Sequence, residues 1–118
     1  MFKEILKTIE AYNRILVHGH IRPDGDCYGS QFGLAEIIKE NYPEKDVHVV
    51  GDTSDFVSFL GTPEKATITD EMYKGALAIV VDCGSADRVS DQRYQTADKV
   101  IKIDHHIAQV HYGDIVYV

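Results

Sequence analysis

The run Ala76-Leu77-Ala78-Ile79-Val80-Val81-Asp82 places six consecutive apolar residues in front of a single acid. A strand with one wet face alternates apolar and polar side chains; an unbroken run belongs in the middle of a parallel sheet covered on both faces. Working outward, Arg14-Ile15-Leu16-Val17-His18 is a second β-branched run, and Val47 to Val50 a third, closed by Gly51-Asp52. Val100 to Ile103 and Ile115 to Val118 read as two more strands. Between them the spacing turns helical. Phe2, Ile5, Leu6, Ile9 and Tyr12 recur at intervals of three and four. Tyr28 to Asn41 carries Phe32, Ala35 and Ile38 on one stripe, with Pro43 beyond its end as a stop. A short helix over Phe56 to Leu60, ended by Gly61-Thr62-Pro63, and a polar helix over Ala86 to Thr96 complete the pattern. Strand and helix in alternation predict an α/β fold: a mostly parallel sheet flanked by helices on both faces, with its site at the carboxyl ends of the strands.

The 118 residues allow one domain, and 44% hydrophobic with 26% charged residues excludes disordered and fibrous classes. No apolar run approaches the roughly 20 residues that span a bilayer, and Met1 to Ile5 does not read as a signal peptide. Two cysteines cannot staple a secreted domain of this size, which points to a reducing, cytoplasmic setting. The net charge of −7 argues against a groove that grips nucleic acid by charge alone. An anionic ligand would need some other partner.

Three loops follow strand ends and meet at one edge of the predicted sheet. The first runs His18-Gly19-His20-Ile21-Arg22-Pro23-Asp24-Gly25-Asp26; the second begins at Asp82; the third is Asp104-His105-His106. Carboxylates gathered there without a cation would repel one another. Divalent ions remove that cost, and the mixture of imidazole and carboxylate suits manganese, iron or zinc. The set is large enough for two ions sharing a bridging carboxylate, and Asp82, on the central strand, is the natural bridge. Such ions also reverse the local sign, so an acidic protein can hold a phosphate. Taken singly, a strand-end Asp is usually a cap and a single His usually packed; three such loops on one edge is a different matter.

His20-Ile21-Arg22-Pro23-Asp24-Gly25-Asp26, the strand-terminal Asp82, and Asp104-His105-His106 together resemble the DHH family of phosphoesterases, over essentially the whole chain and in the family's order. The likeness is greatest to the branch with oligoribonuclease and 3′-phosphoadenosine-5′-phosphate phosphatase activity. It implies one manganese ion on His20, Asp24 and Asp82, and a second on Asp26, Asp82 and His105. It further implies His106 beside the substrate phosphate and Asp104 orienting the histidine pair. Arg22 is a second candidate for the phosphate, and Arg88 a third. The implied substrates are short RNA or DNA oligonucleotides, linear dinucleotides, or adenine nucleotides, hydrolysed by a two-metal mechanism. The parent protein is a candidate homodimer, and no membrane is involved.

The chain departs from that family in one respect. Members complete the second metal site with an aspartate in a Gly-Asp-Thr-Gly-type motif downstream, then add a smaller substrate-binding domain. Gly51-Asp52-Thr53 precedes Asp82 and reads as a turn. Residues 1–118 are therefore expected to be an N-terminal DHH catalytic domain, incomplete at its C-terminal end, with the second domain absent, the second metal site unfinished and activity weak. Other expectations are smaller. Gly33 would pack helix on sheet, Ser30 would cap the helix, Cys27 and Cys83 would be buried thiols, His18 would pack or support the site, and His48 has no role. The rival readings are a manganese-dependent inorganic pyrophosphatase and a non-catalytic metal- or nucleotide-binding module. A nicotinamide-binding fold lacks its Gly-x-Gly-x-x-Gly turn after the first strand.

Overall fold

The computed structural model describes residues 2–21, 25–52, 61–81, 83, 86–103 and 115–117. Helix α1 (Phe2–Ala11) leads into β1 (Arg14–His18), α2 (Gly25–Asn41) and β2 (Asp46–Val50). Strands β3 (Leu77–Val81), β4 (Lys99–Ile103) and β5 (Ile115–Tyr117) follow. The five strands form one sheet in the order β2-β1-β3-β4-β5, every neighbouring pair parallel. The apolar run thus becomes the central strand, all five residues of β3 buried.

The fold follows from side-chain parity. Residues of a strand alternate between faces. Ile15, Val17, Leu77, Ile79, Val81 and Ile101 point to one face, where Ile5 and Ile9 of α1 and Ala35 and Ile38 of α2 cover them. Leu16, Ala78, Val80 and Val100 point to the other. The chain moves one way along the sheet from β1 to β2 and the opposite way from β2 to β3 and β4. Right-handed crossovers must then lie on opposite faces, and they do: α2 on the first, the connections into β3 and β4 on the second.

The second face is covered by 3-10 turns. Asp70–Tyr73, unforeseen in the sequence, seats Tyr73 against Leu16, Val50 and Ala76. The expected helix over Ala86 to Thr96 is two such turns, Ala86–Arg88 and Gln92–Thr96, the second seating Tyr94 against Ala78, Val80 and Val100. Asp91 explains the break. Its carboxylate accepts from the Arg93 backbone N–H at 3.1 Å, capping a new turn where a continuous helix would need Asp91 inside it. The expected helix over Phe56 to Leu60 lies outside the described residues.

Helix α2 begins at Gly25, three residues before its apolar stripe, so Ser30 is an exposed residue within it and caps nothing. Gly29 and Gly33 are exposed and a side chain at either would meet nothing, so neither packs on the sheet. The close approach is at Gly19, where a Cβ would stand 2.5 Å from Gln31 Oε1 and 2.6 Å from Cys27 Sγ. Gln31 is buried and donates through Nε2 to the carbonyls of Val17 at 3.1 Å and Val50 at 2.9 Å, tying α2 to the ends of β1 and β2. Both cysteines are buried, as expected. His48 does acquire a structural role. It lies on β2 between Asp46 and Glu64, 2.8 and 2.7 Å from their carboxylates.

Candidate functional site

Strand order reverses between β1 and β3, since β1 connects outward to β2 on one side and the chain resumes at β3 on the other. Open parallel sheets bind ligands in the crevice outside the carboxyl ends at such a switch point. Topology alone therefore selects the edge that the motifs selected. His18 and Val80 are register partners there, as are Val81 and Ile103, so positions 82 and 104 follow directly on neighbouring strand ends.

Of the expected site residues, His20 is described with its side chain, and Asp26 belongs to the first turn of α2 with only its backbone described. Arg22, Asp24, Asp82, Asp104, His105 and His106 lie outside the described residues. Among the described residues, no group of three or more His, Cys, Asp or Glu gathers as a metal site.

His20 stands beyond the end of β1, and its place is set by a short antiparallel stitch. The Ser90 amide donates to Gly19 O at 3.0 Å, the Ile21 amide donates to Arg88 O at 2.7 Å, and His20 and Val89 form the bridge between them. Its Nδ1 is 2.6 Å from the Ile21 carbonyl, an acceptor only, so Nδ1 carries the proton. That tautomer puts the lone pair on Nε2, the arrangement that metal-ligating histidines adopt when a backbone carbonyl holds the other nitrogen. Of the expected ligand set His20 alone has a described side chain, and its imidazole chemistry suits a divalent ion.

Below this edge, on the turn-covered face, His18 is fully buried and its Nε2 is 2.9 Å from Tyr73 Oη. Burial pushes the imidazole pKa down to about 4; the Asp91 charge pulls the other way but does not restore it. The ring is therefore neutral. Burial also raises the Tyr73 phenol, with the Asp91 charge adding to it, so the hydroxyl keeps its proton. Arg93 sits 5.8 Å above the Tyr73 ring and holds Asp91 through Nη2 at 2.7 Å and Nε at 3.0 Å. Its Nη1 donates to Ile68 O at 2.7 Å. Asp91 is buried, which works against its charge, yet the hydrogen bonds from Arg93 win and hold its carboxyl below the usual range. Lys102, in register with Val80, is buried on the same face.

The sequence gives weak notice of this hub. Asp91 and Arg93 lie in a polar stretch, and Tyr73 is a single aromatic among charged neighbours. Gln31 left a clearer trace, a polar residue four positions after the buried Cys27 and four before the buried Ala35 on the core stripe of a helix.

Comparison with known proteins gives the family. Residues 14–117 match the family described as DHH family, N-terminal domain. The chain is 45% identical over 118 residues to the bifunctional oligoribonuclease and PAP phosphatase NrnA of Bacillus subtilis, covering 100% of this chain and 37% of that protein. It is 46% identical over 117 residues to a probable bifunctional oligoribonuclease and PAP phosphatase NrnA of Streptococcus mutans, covering 99% of this chain and 37% of that protein. The fold superposes with a TM-score of 0.77 on the crystal structure of an exopolyphosphatase-related protein from Bacteroides fragilis, at 24% identity over 97% of this chain and 37% of the other. The chain thus spans a little over a third of the length of these relatives. A family match across nearly the whole chain, on the parallel sheet and loop order described above, means that this chain belongs to the DHH family, in its N-terminal domain.

Proposed function

We propose that the chain is the N-terminal catalytic part of a metal-dependent phosphoesterase that hydrolyses short oligonucleotides and 3′-phosphoadenosine 5′-phosphate. The carrying observation is His20, held in its ligating tautomer at the β1/β3 switch point. The relatives' names support the substrate class. His20, Asp24 and Asp82 would hold one divalent ion, and Asp26, Asp82 and His105 a second. Manganese fits this mixed nitrogen and oxygen set. When bound, the ions supply Lewis acidity toward a phosphoryl oxygen and an activated water.

The protein's own contribution is positional. Asp82, next in sequence after the central strand, would tie the two ligand sets together. His106 and Arg22 meet the phosphate, and Asp104 orients the histidine pair. Base recognition belongs to the two-thirds of the relatives' length that this chain does not span. The cytoplasm is where such substrates arise, and among the described residues no helix is long and apolar enough to cross a membrane.

The test is hydrolysis of linear di-adenylate, 3′-phosphoadenosine 5′-phosphate and inorganic pyrophosphate, with and without Mn2+, by the parent-length protein. The expected outcome is Mn2+-dependent release of adenosine monophosphate from the first two, with Asp82→Ala about 100-fold or more below wild type, since a shared ligand counts for more than its supporting shell. Turnover of pyrophosphate alone, or an Asp82→Ala variant as active as wild type, would refute the proposal.

A further inference from the structure

His20 is not placed by the sheet, because β1 ends at His18. Among the described residues, its backbone is held by the stitch to residues 88–90, and that segment is itself outside the sheet. Its anchor comes immediately afterwards. Asp91, 93% removed from solvent, receives the Arg93 backbone N–H at 3.1 Å, Nε at 3.0 Å and Nη2 at 2.7 Å. The same guanidinium donates to the carbonyls of Ile68 at 2.7 Å and Lys65 at 3.4 Å and to Asp70 at 3.3 Å. It also covers Tyr73, whose hydroxyl meets His18 at the end of β1. One side chain therefore joins the segment that holds His20, the connection from β2 to β3, and the strand from which His20 emerges.

We propose that Asp91 and Arg93 are positioning residues for His20: their ion pair fixes the 88–90 segment, and through it the affinity of the sheet edge for its metal. The inference rests on the proposed reading of that edge. It is specific to arginine. A lysine brings the charge but one ammonium in place of a planar fork, so it cannot grip the Asp91 carboxylate and the Ile68 carbonyl in their present geometry together. Groups that hydrogen-bond a metal ligand directly change affinity by about 10–100-fold when removed, and Asp91 and Arg93, one layer further out, are expected at the lower end.

The experiment is Mn2+ binding by calorimetry on the 118-residue chain, with the melting temperature measured on the same samples. Arg93→Lys and Asp91→Asn are expected to weaken Mn2+ binding about 10-fold or more. Ile38→Val, which trims a buried side chain on the opposite face, is expected to lower the melting temperature and leave Mn2+ affinity within about 2-fold, as distant sites act independently. Mn2+ affinity equal to wild type in Arg93→Lys, or affinity that merely follows melting temperature across all three variants, would overturn the inference. His20→Ala separates the two levels: if it binds Mn2+ like wild type, the reading of the edge fails, and if it alone loses binding, only the positioning role fails. The wild-type chain supplies a readout that needs no variant. Loading with diamagnetic Zn2+ should slow hydrogen exchange at the Ile21 and Ser90 amides and at Arg93 Nε–H together. Slowing at Ile21 with no change at Arg93 would also overturn it.

Discussion

On one face of the sheet, α1 and α2 lay aliphatic side chains on Ile15, Val17, Leu77, Ile79 and Ile101. On the other, 3-10 turns bring Tyr73, Tyr94 and the Asp91–Arg93 pair over Leu16, Ala78 and Val80, beside the buried His18 of β1 and Lys102 of β4. The two faces share five strands and differ in what they do. The aliphatic face is held by apolar area, which is non-directional and tolerates small adjustments. The turn-covered face is held by hydrogen bonds with fixed partners, and fixed partners are what a ligand-bearing loop requires. Stability and placement are divided between two sides of one sheet.

The contrast can be broken by mutation. The largest effect is expected from Ile79→Ala, fully buried on the aliphatic face, which should cost about 2–5 kcal/mol in urea unfolding while the folded fraction binds Mn2+ as before. A loss of metal affinity in that folded fraction would show that the division between faces is not real.

Next is acid. In metal-free protein, His18 has a pKa of about 4 against 6.5 when unfolded. A lowered histidine pKa means the folded state binds fewer protons over that interval. Its contribution is complete above pH 6.5 and is lost as pH falls from 6.5 toward 4, amounting to about 3 kcal/mol. Stability measured from pH 7 to pH 4 should fall by that order in wild type and more shallowly in His18→Gln. Superimposable curves would contradict a neutral buried ring. The smallest effect is expected at the rim of the aliphatic face, where an apolar groove of about 380 Å³ opens between α1, α2 and Ile103. Ile37 there is 60% exposed, so Ile37→Gln should change stability by less than about 0.5 kcal/mol. A larger loss would mean that this rim belongs to the core.

The aliphatic face was the legible one. The unbroken run before Asp82, the β-branched run before His18 and the three-four spacing in the first helix each carry their environment in local sequence, and each became the expected element. The turn-covered face was not legible, for a physical reason. Arg93 meets Ile68, Lys65 and Asp70, and Tyr73 meets His18, across separations that leave no period in the sequence. Gly33 misled because its four-residue spacing from Gly29 suggests a packed face, whereas the contact that excludes a side chain is at Gly19, in a loop. His20 was singled out by its motif, and of the two readings of His18 the structure shows a buried ring against Tyr73.

The stitch around His20 has a consequence for folding order. Its hydrogen bonds join Gly19 and Ile21 to Ser90 and Arg88, residues separated by more than half the chain. Closing so long a loop is slow, and such contacts form only after the strands beneath them have paired. The β1–β3 ladder must exist before His20 has a place to stand. Pairing β1 with β3 already closes most of that loop, so the stitch itself has only the few residues beyond the strand ends to order.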